Sequence, residues 1–144
     1  MAFIVHSDWL ERQFNGTEAL DLDGAGSVIN MGIVTESTID ADTNALYSGL
    51  TAVATGTAWT GPVALANKTC GQNASNDLVF DADDPAQIAQ DAGTGFANAR
   101  SIVIFGSVNS FILAHHIETT AFGNTLGPIT VSFDATNGIW KATI

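Results

Sequence analysis

The chain has 144 residues, of which 46% are hydrophobic and only 13% are charged, and 15 acids against four bases give a formal net charge of −11. Four cations, Arg12, Lys68, Arg100 and Lys141, cannot build the basic surface that a phosphate backbone requires, which argues against nucleic acid as a partner. No apolar run approaches the roughly 20 residues of a membrane-spanning helix, and the first residues lack a basic signal region, so we expect synthesis in a cytosol and no membrane attachment.

This low charge content leaves a surface rich in Thr, Ser, Asn, Gly and Ala, since an ordinary soluble domain is about a quarter charged. Such a surface suits a protein that lies against neighbouring molecules. The length predicts one domain over residues 1–144, with a helix-containing part over 1–50 and a β-rich part over 51–144.

Helix signals dominate the first fifty residues. Ser7 is suited to cap a short helix over residues 8–14, with an apolar stripe from Val5 to Phe14 and a stop at Asn15-Gly16. Residues 18–22 are compatible with a further turn, and the alternation over residues 27–35 predicts a strand.

A second short helix is expected to end near Gly49. Its apolar face would be formed by Ala45, Leu46 and Leu50. Three residues offer alternative N-terminal caps: Asp40, Asp42 and Thr43.

After residue 50 the pattern is that of strands. Residues 52–57 and 63–69 are predicted to pair through a turn at 59–62, and residues 78–80 form a short strand before the acids at 81–84. The glycines of residues 87–98 favour a loop.

The strongest buried strands are predicted at residues 101–105 and 110–117, with a hairpin-sized connection between them. Residues 129–133 and 138–144 are predicted to close the chain as a hairpin over the turn 134–138, where Asn137-Gly138 suits positive φ. The fold class is therefore mainly β, an antiparallel β-sandwich or barrel with one or two short N-terminal helices.

Asp21, Asp23 and Gly24 begin like a calcium-binding loop, because oxygen ligands at alternate positions before a glycine turn suit a hard cation. The pattern then fails, since Ala25 occupies the next ligand position and Gly32 stands where a bidentate Glu is needed. A solvated turn is the better interpretation.

Asp81, Asp83 and Asp84 form an acidic cluster that suggests a divalent metal site or acid–base catalysis. Strand alternation places Asp81 and Asp83 opposite Leu78 and Phe80, where water solvates them. No His, Cys or Glu is adjacent to complete a metal site, so we interpret the acids as a strand end.

His115 and His116 lie in an apolar strand and face opposite ways, so they cannot chelate one ion together. We expect one of them, not specified by the sequence, in the core or an interface and the other in solvent. Glu118 lies near His116 on the same face, where a cross-chain ion pair is a further possibility. The single cysteine, Cys70, has no disulfide partner within the chain and is interpreted as a buried or loop thiol.

The common catalytic signatures, the nucleophile elbow, the phosphate-binding glycine loop and zinc-ligand spacing, are absent from the sequence. We therefore expect no enzyme activity and no catalytic, metal-binding or cofactor-binding residues. Six aromatic residues are expected in the core or in subunit contacts: Trp9, Trp59, Phe80, Phe111, Phe133 and Trp140.

Five segments follow one another over the last two thirds of the chain: Gly56-Thr57-Ala58-Trp59-Thr60, Leu65-Ala66-Asn67-Lys68-Thr69, Phe80-Asp81-Ala82-Asp83-Asp84, Ala99-Arg100-Ser101-Ile102-Val103-Ile104 and Phe133-Asp134-Ala135-Thr136-Asn137-Gly138-Ile139. Their order and spacing resemble those of small tailed-bacteriophage virion proteins encoded among head genes. The resemblance implies a capsid decoration or cement protein at the virion surface, which binds the outer face of the shell of major capsid protein and stabilises it, either as a single chain or as a homo-oligomer.

Three other functions remain open from the sequence. One is a tail or head-fibre component of the same kind of particle. Another is a small glycan-binding β-module, for which an exposed Trp59 and acidic turns would supply the sugar platform. The last is a hydrolase that uses Asp81, Asp83 and Asp84.

Overall fold

The computed structural model describes residues 3–16, 20–24, 28–40 and 43–142. Over these ranges the chain forms strands, one α-helix and one 3₁₀ turn. In chain order they are β1 (Ile4–Val5), α1 (Ser7–Phe14), β2 (Ile29–Val34), the 3₁₀ turn Tyr47–Gly49, β3 (Val63–Ala64), β4 (Thr69–Gln72), β5 (Leu78–Asp81), β6 (Ala99–Gly106), β7 (Ile112–Phe122) and β8 (Trp140–Ala142).

The strands make two antiparallel sheets. The larger has the order β1-β7-β6-β2-β3, and the smaller has the order β4-β5-β8. The predicted mainly β, antiparallel sandwich is confirmed, and the sheets do not close into a barrel. Strand β2 lies where alternation predicted a strand, and β6 and β7 lie where the strongest buried strands were predicted. Strands β6 and β7 pair over almost their full length.

The main core lies between the two sheets. Alternate residues of β2, namely Ile29, Met31 and Ile33, are fully buried there. Phe80 and Trp140 cover them from the smaller sheet. Each large apolar side chain buried in this way stabilises the fold by about 1.5–3 kcal/mol relative to exposure.

The other face of the larger sheet carries a second, smaller core. Val34, Val103 and Phe105 meet Ile39 there, and Tyr47 packs on them from the segment 35–51. Because both faces are covered, β2 and β6 are buried at nearly every position.

Helix α1 is confirmed, but its predicted cap is wrong. The N-terminal cap is His6, which makes no side-chain capping bond, and Ser7 is the first helical residue. The His6 N–H donates to Leu113 O at 2.9 Å, so pairing with β7 fixes where the extended chain stops and the helix begins. The helix ends as predicted, because Gly16 takes a φ of +74°. Of the further turn expected at 18–22, residues 20–22 are not helical and the rest lies outside the described residues.

The expected second helix is wrong. Residues 47–49 form a single 3₁₀ turn, and Leu46 before it is extended. Ala45 O accepts a hydrogen bond from Ile112 N, and Tyr47 N donates to Ser110 O, so this segment is tied to the β6–β7 hairpin. These tertiary hydrogen bonds outweigh the weak helical preference of a short segment. Of the three proposed caps, Asp42 lies outside the described residues.

The predicted pairing between residues 52–57 and 63–69 is also wrong. Ala52 pairs with Val34 and Val63 pairs with Met31, so the segments 52–57 and 63–69 lie one after the other along the same edge of β2 instead of pairing together. Between them, Gly56 N donates to Trp59 O at 2.7 Å in a turn.

The C-terminal hairpin forms only its turn. Asp134 bridges Gly138, which has the predicted positive φ of +63°. Ile129, however, pairs with Ile88, and β8 pairs with β5. The segment around residue 88 is the loop that its glycines predicted.

Candidate functional site

Two of the three carboxylates of the acidic cluster make separate hydrogen bonds to different loops. Asp83 accepts a hydrogen bond from Asn67 Nδ2 at 2.6 Å, and Asp84 accepts one from Phe133 N at 2.6 Å. Both acids therefore tie loops to the smaller sheet, which agrees with their interpretation as a strand end.

Asp81 differs from the expectation that water solvates it. Its Oδ1 atom is buried and has no hydrogen-bond partner among the described residues. The turn 134–138 covers this position, since a Cβ on Gly138 would overlap Phe80 and touch Asp81. Burial is the largest cause of the raised pKa of Asp81. A hydrogen bond from the Ala82 backbone lowers the pKa, and the negative charges of Asp84, Asp134 and Asp83 raise it, so the net shift is upward.

The calcium-like segment is a turn. Asp21 Oδ1 accepts a hydrogen bond from Gly24 N at 3.0 Å, and Asp21 and Asp23 are both exposed. Ala25 lies outside the described residues. Among the residues that the structure describes, no group of three or more His, Cys, Asp or Glu side chains is placed to hold a metal ion.

The two neighbouring histidines behave as predicted. His115 is buried, and His116 is partly exposed and contacts Glu118, with 3.1 Å between Nε2 and Oε1. The partner of His115 could not be predicted from local patterns, because it is His6, 109 positions away, which contacts His115 where both are buried.

Trp59 is only 3% exposed and packs edge-on against Phe96, so it cannot serve as an exposed platform for sugars. Of the six expected core aromatics, Phe111 is partly buried beneath the Arg12 guanidinium, whose Cζ lies 4.5 Å from the ring centre. The remaining five are buried, as predicted.

An apolar groove of about 300 Å³ opens between helix α1 and the outer edge of the smaller sheet. Strand β8 forms that edge, because it pairs with β5 on one side only in the described part of the chain. The groove is lined by Val5, Leu10, Phe14, Leu78, Trp140, Lys141 and Ala142.

The one charged residue in the described lining of this groove, Lys141, is paired with an acid. Lys141 Nζ lies 3.3 Å from Asp77 Oδ2, and Arg12 Nε lies 3.1 Å from Asp8 Oδ2 on helix α1. The groove is therefore an apolar, locally neutral region on a strongly acidic protein.

Phe14 marks the rim of the groove, since 87% of its side chain is exposed. The sequence placed Phe14 on the same apolar stripe as Trp9, which is buried. Five residues correspond to about 500° of helical rotation, which puts the two side chains about 140° apart and on different faces. Phe14 instead shares a face with Leu10, four residues earlier, and both line the groove.

The chain matches no protein-family model, no curated protein and no solved structure. In the described ranges no helix has the length and hydrophobicity needed to cross a membrane.

Proposed function

We propose that this chain is a structural protein of a tailed-bacteriophage virion, and that it decorates the outer face of the major capsid protein shell and stabilises it. The observation that carries the proposal is the groove between α1 and β8, with the exposed Phe14 at its rim. The ordered sequence segments that resemble head-encoded phage proteins supply the kind of particle. The proposed function needs binding alone and no catalysis.

Phe14 has the properties of an anchor. An aromatic side chain buries about 150–250 Å² when it is covered, and such residues dominate the energetics of interfaces. Helix α1 holds Phe14 on a short, rigid element whose other face is fixed by the buried Trp9. A partner that covers Phe14 would therefore gain apolar burial with little ordering of the chain.

The charge distribution favours a different protein over a second copy of this chain as the partner. Two copies, each with a formal net charge of −11, repel one another at long range. Lys141, which lines the groove, is paired with Asp77, and Arg12 elsewhere on α1 is paired with Asp8, so both offer little to an acidic neighbour. A neutral or basic surface on the capsid shell complements this molecule better.

A decoration protein gains its effect from repetition. Each copy needs only a modest contact with the shell, because many copies that bridge adjacent subunits add up to a large stabilisation. A sandwich with two covered cores and few charged residues is suited to this purpose, and its acidic outer surface would keep particles dispersed by like-charge repulsion.

Copy number tests the proposed location. Purified particles are analysed by quantitative mass spectrometry, with the major capsid protein as the internal reference. Hundreds of copies per particle are expected for a decoration protein. About a dozen or fewer would instead support a tail or head-fibre component, and absence from purified particles would overturn the virion assignment.

Binding to undecorated particles tests the groove. Phe14→Ser should weaken binding at least about tenfold, since it removes the exposed anchor. Leu126→Ser is the matched control, because Leu126 is 94% exposed and outside the groove, and it should bind like the wild type. Equal binding of both variants and the wild type would rule out the groove as the docking surface.

A further inference from the structure

The most unusual polar contact in the molecule joins two buried histidines. His6 Nε2 and His115 Nδ1 lie 2.7 Å apart, and their rings meet edge to face with centroids 4.8 Å apart. The side chains are 0% and 1% exposed. In such a contact one nitrogen carries the proton and donates a hydrogen bond, and the other, which is unprotonated, accepts that hydrogen bond. The pair therefore cannot keep its geometry when both of these nitrogens are protonated.

This contact lies where the N-terminal arm, residues 3–14, is attached to the sandwich. Strand β1 is two residues long and pairs with β7 through Ile4↔His115 and Val5↔Ala114. Leu113 O accepts hydrogen bonds from His6 N at 2.9 Å and from Trp9 Nε1 at 2.8 Å. A two-residue strand contributes little pairing of its own, so side chains hold the arm in place. Among them are the histidine pair, Trp9, Phe3 packed on Phe133, and Arg12 over Phe111.

We propose that His6 and His115 form an acid-sensitive clasp, in which uptake of a second proton places two cations in contact and weakens the attachment of the N-terminal arm to β7. The arm supplies Val5, Leu10 and Phe14 to the groove, so opening of the clasp removes one wall of the groove. The clasp itself does not depend on the proposed function, whereas its effect on docking does.

The chain contains three histidines, and imidazole is the side chain whose ordinary pKa lies between pH 5 and 8. His116, the third, contacts Glu118 on the same strand. Burial lowers the pKa of His115 below its ordinary value of 6.5, and the neighbouring His116 lowers it further. Other titratable or charged groups on the elements packed around the pair are Asp8, Glu11 and Arg12 on α1, and Glu36, Asp40 and Tyr47 on the segment 35–51.

The lowered pKa of His115 sets the direction of the effect. His115 binds a proton more readily when the arm is released than when it is attached, so acid favours release of the arm. The attachment is at full strength above pH 6.5 and weakens as the pH falls below that value. The opening equilibrium should change by up to about tenfold per pH unit for each proton taken up.

Hydrogen–deuterium exchange on the whole protein between pH 7.5 and 5, corrected for the intrinsic exchange rate, measures this opening. Protection of residues 3–14 should fall by at least about tenfold, while β6 keeps its protection. Unchanged protection of the arm, or equal loss of protection in the arm and β6, would overturn the proposal.

Two variants identify the histidines responsible. His116→Gln keeps the clasp and should retain the pH-dependent opening. The double variant His6→Phe, His115→Phe keeps two packed rings and should lose the pH-dependent opening. Opening that still depends on pH in this folded variant would contradict the clasp.

If the double variant does not fold, nitrogen-15 NMR of the imidazole groups in the wild-type protein tests the proposal instead, because it reports the protonation of each histidine. Protonation of His6 and His115 must coincide with arm opening, and protonation of both rings with the arm still protected would overturn the proposal.

The clasp and the docking function fail in distinguishable ways. Arm opening in the isolated protein tests the clasp alone. Acid release of the wild type from particles, compared with release of the double variant, then tests whether the arm supports docking.

Discussion

Tyr47 stacks on Phe105, with ring centroids 3.9 Å apart and ring planes within 2° of parallel. The stack fastens the segment 35–51 to the outer face of the larger sheet. It is possible because Gly32 has no side chain: a Cβ at this position would lie 2.5 Å from Tyr47 Cε2. Burial, together with the charge of Glu36, raises the pKa of Tyr47.

Gly32→Ala should therefore destabilise the protein by about 1–3 kcal/mol, because the new methyl group displaces the Tyr47 ring. Urea unfolding measures the change in free energy. Gly71→Ala is the matched control, since Gly71 also lies in a strand and a Cβ there would meet nothing within 4 Å. Equal losses in the two variants would show that strand backbone effects, and not the Tyr47 stack, determine the cost.

Trp59→Ala should destabilise the protein by about 3–5 kcal/mol, because Trp59 is 3% exposed and belongs to the main core. Urea unfolding measures this loss, and Phe14→Ala is the control. Phe14 is 87% exposed, so its replacement should change the free energy of unfolding by only about 0.5 kcal/mol. A Trp59→Ala variant of full stability that loses binding on a glycan array would instead restore the sugar-binding hypothesis.

Asp81→Asn should stabilise the protein at pH 7. Because burial raises the pKa of Asp81 in the folded state, the folded chain binds this proton more readily than the unfolded chain, and the ionised carboxylate opposes folding at neutral pH. The gain is about 1 kcal/mol or less, since the carboxyl group is partly in water. The stability gain of Asp81→Asn should shrink as the pH falls through the raised pKa of the folded state towards the ordinary pKa of 3.8.

Chemical unfolding of the wild type and Asp81→Asn at several pH values measures this difference. Asp83→Asn is the control, because Asp83 is exposed. A loss of stability at pH 7 in Asp81→Asn would mean that the carboxylate makes a favourable contact that outweighs its burial.

Asp91→Asn should lower the thermal midpoint at pH 7. Asp91 Oδ2 accepts from Thr94 Oγ1 at 2.7 Å and from Thr57 N at 3.0 Å, and Oδ1 accepts from Thr94 N at 2.8 Å, so one carboxylate joins two loops. The amide of Asn keeps one oxygen, but its nitrogen cannot accept a hydrogen bond, so the variant loses the bonds made to one of the two carboxylate oxygens.

The same hydrogen bonds, led by that from the Thr94 hydroxyl, lower the pKa of Asp91 far below its ordinary value of 3.8. Its stabilisation is therefore present above pH 3.8 and lost as the pH falls below that value. Thermal melts should show the difference between wild type and Asp91→Asn narrowing in this acidic range, which lies below the range of the His6–His115 clasp. A difference that is constant with pH would exclude the carboxylate charge as its cause.

The sequence by itself determined the fold class, the position of the strongest elements and the ends of some of them. Strands β6 and β7 were predictable because sheet faces covered on both sides require continuous apolar runs. Strand β2 was predictable from its β-branched residues and its partial alternation. Gly16 and Gly138 stand where the chain takes positive φ, so the end of α1 and the turn 134–138 were also predictable.

Only the tertiary structure decided which strands pair and which residues meet. Local patterns contain no information about a partner that is distant in sequence, so β8 with β5 and Ile88 with Ile129 could not be distinguished from a local hairpin. For the same reason the sequence did not predict the groove or the contact between His6 and His115. His6 and His115 are 109 positions apart, and the groove joins the first strand and helix to the last strand. Their chemistry arises from packing that brings the two ends of the chain to one side of the sandwich.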